Sequence, residues 1–366
     1  MSKTTLNVRP FNLKLKYPFG ISRGTIDYAK NVLVTLRFGD LYGFGESAPS
    51  QYYGEDQEHV IKFINSFVRH KPLEEYLTNI QKLKEDLNSF SMTIFDSSCP
   101  SAKVALEMAF WDLMGKINNK SMYQFIFKDD PFLSNNRNEY KNLPFTSYTI
   151  GLDKLLVIEE KVKAALKLGH RILKVKLGLG FEEDLNILKA IHNIVKDHSC
   201  VLRVDANGGW DIETTKKMLD VLPEYKVELL EQPLRKGQIR LLSQVFETSP
   251  IPIILDEDCM VSGDVESVTG KAHGINIKLM KTGSILEALD MINLAKAYNL
   301  KIMLGCMIES SCSISAAVHL SPLADYVDLD GHLLLEHDPF SGLYIKNNKI
   351  IPSFEPGLGV SLSANN

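Results

Sequence analysis

An excess of either charge is missing from this sequence. Over 366 residues, 41 Lys and Arg face 45 Asp and Glu, a formal net charge of −4. Without a basic surplus the chain lacks the electrostatic footprint of a nucleic-acid-binding protein, and a small molecule is the expected partner. No run approaches the roughly eighteen consecutive apolar residues of a membrane-spanning helix, and MSKTTLNVRPFNLKLKYPFG at the N-terminus has no apolar segment of the kind a secretory signal needs. No membrane association is expected. Cysteine is sparse: Cys99, Cys200, Cys259, Cys306 and Cys312 are scattered and form no Cys-x-x-Cys pair, which argues against zinc and redox motifs. They read as reduced, small core residues of a cytoplasmic protein. A complete dinucleotide fingerprint is also missing, because GLGFEE begins like G-x-G-x-x-G but places Glu183 where the third glycine belongs.

What is present is ordinary globular material, 45% hydrophobic and 23% charged, in a chain long enough for one large domain and a smaller one. The texture changes twice. The first sixty residues or so alternate apolar and polar, as in NVLVTLRFGDLYGFGE, and predict a short antiparallel sheet. Helical patterning follows, clearest in CPSAKVALEMAFWDLMGK, where Val104, Met108, Trp111 and Leu113 predict a buried stripe. The polar, turn-rich FKDDPFLSNNRNEYKNLP is the expected boundary between an N-terminal domain over 1–130 and a second domain over 143–330.

That second domain reads as strand and helix in alternation: FTSYTIG, ILKVKLG, VLRVDANGG, KVELLEQP, IPIILDED, GINIKLMKTG, KIMLGCMIE and DYVDLDG are separated by helical stretches such as DLNILKAIHNIVKDH and SILEALDMINLAKAYN. Eight such units predict an α/β fold of the TIM-barrel type, with a doubly wound open sheet as the main alternative. Residues 331–366 return to short strands and are expected to rejoin the N-terminal sheet.

The C-terminal ends of the eight predicted strands carry the chemistry-bearing residues. They are Lys174 and Lys176, then Asp205 and Asn207, Glu231, Asp256, Lys278, and finally Asp328 and Asp330. Each group falls one β/α unit after the last, so the side chains ring one mouth. Any one of these acids alone reads equally well as a helix N-cap. Asp205, Glu231 and Asp256 together would repel one another strongly unless a cation sat among them. Oxygen ligation without histidine or cysteine favours a hard ion, Mg²⁺, with Mn²⁺ as a substitute. Lys174 and Lys176 share one side of their strand. Beside other cations, a desolvated ammonium would have its pKa lowered, which makes Lys176 a candidate base and Lys174 its tuning partner.

These motifs resemble the enolase superfamily, specifically its muconate-lactonizing subgroup. The resemblance runs along essentially the whole chain through GFGESAP, the K-x-K at Lys174 and Lys176, VDANGGW, EQP, LDED, NIKLMKTG and GCMIESS. It implies a modified (β/α)7β barrel with an α+β capping domain built from the N-terminal region and the C-terminal tail. It also implies Mg²⁺ on Asp205, Glu231 and Asp256, with Lys176 and Lys278 as paired acid/base lysines. Lys281 is left a lesser role. Acid-sugar dehydratases of the superfamily carry a histidine on the seventh strand, which KIMLGCMIE lacks.

The D-x-D of Asp328 and Asp330 is similar to that of dipeptide epimerases, where it holds the substrate ammonium; period two would put both carboxylates on one side. Asn207, Met307 and Ile308 are further candidate substrate contacts. Arg23, in YPFGISRGT, stands where the Ala-Glu type of epimerase has an arginine in a mobile loop that binds the substrate's side-chain carboxylate. The expected activity is therefore an Mg²⁺-dependent isomerase, epimerising L-Ala-L-Glu to L-Ala-D-Glu by 1,1-proton transfer in cell-wall peptide metabolism, in a homo-oligomer. N-acylamino acid racemase, o-succinylbenzoate synthase and muconate cycloisomerase are the alternatives within the subgroup. A Schiff-base aldolase, which would leave the three acids unexplained, and a non-catalytic binding protein are more remote.

Overall fold

The computed structural model describes residues 3–22, 24–69, 71–94, 99–127, 143–346, 348–351 and 353–363. Two long strands, β1 (Thr5–Ile21) and β2 (Gly24–Phe38), pair antiparallel, and β3 (Leu41–Ser47) adds to the other side of β2. Alternation is clear in β1, where Phe11, Leu13 and Leu15 are buried between exposed neighbours. The cap is completed by helices α1 (Gln57–Val68), α2 (Leu73–Tyr76), α3 (Ile80–Ile94), α4 (Pro100–Asn118) and α5 (Met122–Ile126). Val32, Val34 and Leu36 of β2 share an apolar core with Phe63, Phe67, Tyr76 and Phe110.

Helix α4 differs from the expected half-buried stripe: every residue from Pro100 to Gly115 is buried except Lys103. One face meets the cap sheet and the other meets the barrel, so no side is left for solvent. The sheet lies directly on it. A Cβ on Gly43 would stand 2.3 Å from the carbonyl oxygen of Ala109, and one on Gly45 would stand 1.9 Å from that of Ala105. That close approach is why GFG occurs in β3.

Eight parallel strands form the second sheet: β4 (Tyr148–Ile150), β5 (Ile172–Lys176), β6 (Val201–Asp205), β7 (Val227–Glu231), β8 (Ile253–Leu255), β9 (Gly274–Lys278), β10 (Lys301–Gly305) and β11 (Tyr326–Asp328). All eight coincide with the runs read from the sequence. A bridge between Thr146 and Val327 links the first and last strands at the seam, so the sheet is a nearly closed barrel rather than an open one. Helices α6 (Leu155–Lys167), α7 (Phe181–Val195), α8 (Ile212–Val221), α9 (Val265–Val268), α10 (Leu279–Thr282), α11 (Ile285–Ala297) and α12 (Ser311–Val318) supply the connections, and after β7 a 3₁₀ segment (Ile239–Gln244) takes the helix's place. Leu173 and Val175 of β5 point outward into the core shared with the helices. Inside the barrel, Leu229, Ile254 and Met303 form a small apolar plug.

The C-terminal segment departs from expectation. Its strands β12 (Phe340–Ser341) and β15 (Ser361–Leu362) pair with each other, as do β13 (Tyr344–Lys346) and β14 (Lys349–Ile351), and none extends the N-terminal sheet. Positive φ at Gly342, Gly357 and Gly359 interrupts the chain before a longer strand can form. The tail is held to the cap by other means: a bridge between Leu15 and Leu335, the Phe340 ring against Phe11 and Phe44, and the Leu358 N–H donated to Asp112. Most of the polar boundary segment, 128–142, lies outside the described residues. No helix among the described residues is long and apolar enough to cross a membrane.

Candidate active site

Strand register assembles the site. Lys176, Asp205 and Glu231 are paired in one row across β5, β6 and β7, and Lys278, Gly305 and Asp328 form a second row across β9, β10 and β11. Asp256 follows the end of β8. These positions alternate inward, opposite to the outward Val175 and Leu230, so the charges converge at the C-terminal mouth of the barrel. All of them are buried.

Each carboxylate there meets an ammonium group. Lys174 Nζ lies 2.6 Å from Glu231 Oε2, 2.7 Å from Asp328 Oδ2 and 3.2 Å from Asp205 Oδ2. Lys176 Nζ is 2.6 Å from Asp205, while Asp256 receives Lys278 at 2.7 Å on one oxygen and Lys281 at 2.6 Å on the other. The lysines thus supply the positive charge that the three acids require. With Lys174 between Asp205 and Glu231, no three acidic, His or Cys side chains among the described residues close on one point.

Burial alone would push the Lys278 ammonium down, but Asp256 lifts it above its ordinary value, and Asp328, Glu231 and Asp205 likewise lift Lys174 well above its own against burial. For Lys174 and Lys278 the direction is opposite to the lowering expected of an ammonium among cations, since their nearest neighbours are anions. Burial raises Glu231 to about 7 with help from Asp205, while Lys176 and Lys174 hold Asp205 well below the usual carboxylate range against burial.

The donor set suits a hard divalent cation. Asp205, Glu231 and Asp256 sit on consecutive strands and offer only oxygen. Glu231 Oε2 and Asp256 Oδ1 each face a single ammonium group, at 2.6 Å, and a carboxylate oxygen has two lone pairs, so each keeps one to offer a ligand.

Sequence reasoning overlooked the groups that hold this ring. Asn276 Nδ2 donates to Glu231 Oε1 at 2.8 Å, and Gln232 Oε1 accepts the backbone N–H groups of Asp256 and Glu257. Asn276 stands two residues before Lys278, and alternation alone could have found it. Lys281, given a lesser role above, is an anchor: it donates to the carbonyls of Asp256, Cys259 and Asn276 and pairs with the Asp256 carboxylate.

Asp328 and Asp330 come together, but not through strand alternation. The strand ends at Asp328, and Asp330 has φ −102° and ψ 4° at the start of a 3₁₀ turn. Ser147 Oγ donates to Asp328 and the Thr149 N–H to Asp330. Burial, and then the nearby Asp328 charge, raise Asp330 to about 7. Asn207, at φ 46°, is folded back on Asp205 by its backbone N–H at 2.8 Å. Met307 and Ile308 lie half-buried in the loop after β10, where Cys306 Sγ approaches the Asp328 carbonyl at 3.3 Å. Arg23 lies outside the described residues. Of the described residues on either side, Phe19, Gly20 and Ile21 pair with Ile26, Thr25 and Gly24, and Gly20 bridges to Leu152 just beyond β4. Gly20 therefore docks the end of β1 at the rim of the mouth.

Residues 157–366 match the family described as Enolase C-terminal domain-like, and residues 3–126 match the mandelate racemase / muconate lactonizing enzyme N-terminal domain. The chain belongs to the enolase superfamily. Within it, the chain is 35% identical to a hydrophobic dipeptide epimerase of Roseobacter litoralis, covering 96% of this chain and 97% of that one. It is 34% identical to an L-Ala-D/L-Glu epimerase of Bacteroides thetaiotaomicron, covering 98% of this chain and 88% of the relative. The fold is also similar to the crystal structure of a dipeptide epimerase from Enterococcus faecalis in complex with Mg and L-Leu-L-Tyr, with a TM-score of 0.86, 31% identity, and coverage of 99% and 100% of the two chains.

Proposed function

We propose that this protein is an Mg²⁺-dependent dipeptide epimerase that interconverts L-Ala-L-Glu and L-Ala-D-Glu. The observation that carries the reading is the placement of Lys176 and Lys278 on β5 and β9, which stand opposite each other in the eight-stranded barrel, with three carboxylates between them. A carbon held between two opposed amines can lose a proton on one face and gain one on the other.

Asp205, Glu231 and Asp256 would hold the metal, with Mn²⁺ as a substitute. Bound there, Mg²⁺ would supply positive charge beside the substrate carboxylate, offsetting both the charge left on proton removal and the anions that face the lysines. Asp328 and Asp330 bind the substrate ammonium through charge-assisted hydrogen bonds, which orients the dipeptide with its second residue toward the lysines. One lysine, as free amine, takes the α-proton at Nζ. The other, as ammonium, donates from the opposite side, and inversion results. Burial of both side chains keeps bulk water from competing for these protons.

The acidic second residue rests on Arg23, whose guanidinium suits a bidentate carboxylate clamp. L-Ala-D-Glu belongs to cell-wall peptide, so the reaction fits peptide turnover in the cytoplasm. A dipeptide library incubated with the enzyme and Mg²⁺ in D₂O, read by mass spectrometry, tests the proposal. Solvent deuterium should enter Ala-Glu ahead of dipeptides with apolar second residues. Preferred exchange into apolar dipeptides would remove Ala-Glu, and no exchange into any dipeptide would overturn the activity.

A further inference from the structure

The stretch GFGESAP takes no part in the chemistry above, yet its end reaches into the barrel mouth. Glu46, the penultimate residue of β3, is fully buried. Its carboxylate accepts the Ser310 N–H at 3.0 and 3.1 Å, the Ser310 hydroxyl, and Asn31 Nδ2 at 2.7 Å. The same Asn31 nitrogen donates to the Ile308 carbonyl at 3.0 Å. Two cap residues on neighbouring strands thus hold three polar groups of the loop between β10 and α12. Ser310 is in turn the N-cap of α12, so the latch also fixes where that helix begins. On the other side of the mouth, the Ala48 N–H lies 3.2 Å from Met280 Sδ, two residues beyond Lys278.

A carboxylate this deeply buried costs stability unless every oxygen is matched, and simple contact between cap and barrel would be served as well by apolar residues. We infer that Glu46 and Asn31 are positioning residues: they lock the backbone of Met307 to Ser310 to the cap, so that docking of the cap sets the wall against which the side chain of the dipeptide's second residue is selected. This rests on the reading of the mouth as a dipeptide site. The wall is built from backbone placement, so loosening it degrades binding and discrimination while leaving the lysines and carboxylates in place.

The test uses Asn31→Ala, with Glu46→Gln as a milder variant that keeps one acceptor oxygen. Hydrogen exchange of the peptide spanning 303–311 should quicken about tenfold in Asn31→Ala, with the cap sheet and barrel strands unchanged. KM for the preferred dipeptide should rise about tenfold and discrimination between second residues should narrow, while kcat stays within about threefold. Glu46→Gln should fall between wild type and Asn31→Ala on both readouts, and it carries the test alone if Asn31→Ala fails to fold. Unchanged exchange at 303–311, or quickening spread evenly over the whole cap and barrel interface, overturns the latch. Faster loop exchange with unaltered KM and discrimination overturns its role in selection. If the wild-type enzyme exchanges the α-proton of no dipeptide, the dipeptide reading and the selection role fall together, while loop exchange still decides the latch.

Discussion

The core of the cap and the mouth of the barrel are both closed to water and are filled with opposite material. In the cap, Phe67 stacks on Tyr76, Tyr76 meets Phe110 edge to face and Phe63 meets Phe90 edge to face, in an apolar core. In the mouth, Lys174, Lys176, Lys278 and Lys281 face Asp205, Glu231, Asp256, Asp328 and Asp330. The first region stabilises by area removed from water, and no member depends on a partner of opposite charge. The second is stable only as a balanced set, because each charge is tolerated through its partners. Stability therefore comes mainly from elsewhere in the molecule, and the mouth is free to be arranged for chemistry.

The sharpest contrast should come from the bases. Lys176→Ala and Lys278→Ala should each lower epimerisation by about 10²- to 10⁴-fold, the usual contribution of a positioned acid or base, and each variant should still exchange the α-proton of the stereoisomer its remaining lysine reaches. An undiminished rate in either would break the two-base assignment.

In the cap, Phe110→Ala should cost about 3–5 kcal/mol in chemical denaturation while kcat of the folded protein stays unchanged. A loss of kcat without a loss of stability would reverse the division between the regions. Asp256→Asn should combine both behaviours. Without metal it leaves Lys278 and Lys281 facing no carboxylate there, at a cost of about 3 kcal/mol, and added Mg²⁺ should no longer raise Tm. Adding Lys281→Met should recover part of the stability and none of the activity. If Asp256→Asn alone is as stable as wild type, the mouth is not a balanced set.

A smaller effect tests burial of a titratable ring away from the mouth. His319, at the end of α12, is fully buried, and burial lowers its pKa from 6.5 to about 4. The unfolded chain binds a proton below pH 6.5 that the folded state resists, so this residue's contribution is present above 6.5 and is lost as pH falls toward 4, by about 3 kcal/mol. Glu46 and Glu55, raised by burial to about 7, run the other way between 4.5 and 7. The readout is therefore the difference between wild type and His319→Gln, which should shrink as pH falls through that window. A pH-independent difference would exclude His319 as its source. Arg23→Ala should cut kcat/KM for Ala-Glu at least about tenfold and spare dipeptides with neutral second residues. Equal losses for both would take Arg23 out of selection.

The sequence by itself determined the eight strands, their order and the ring of charged residues, because alternation along a strand and the length of a β/α unit are local properties. Lys176, Asp205 and Glu231 could be placed in one row for that reason alone. Tertiary structure decided how those charges pair. Lys174 touches Asp205, Glu231 and Asp328, and whether its pKa rises or falls depends on distances across the barrel that no local pattern encodes. Tertiary packing also made α4 buried on both sides, turned the C-terminal strands onto each other, and brought Asp330 beside Asp328 through a turn rather than a strand. It joined Glu46 to Ser310 across 264 residues of chain, since a contact that closes only when two finished layers dock leaves no periodic trace in either.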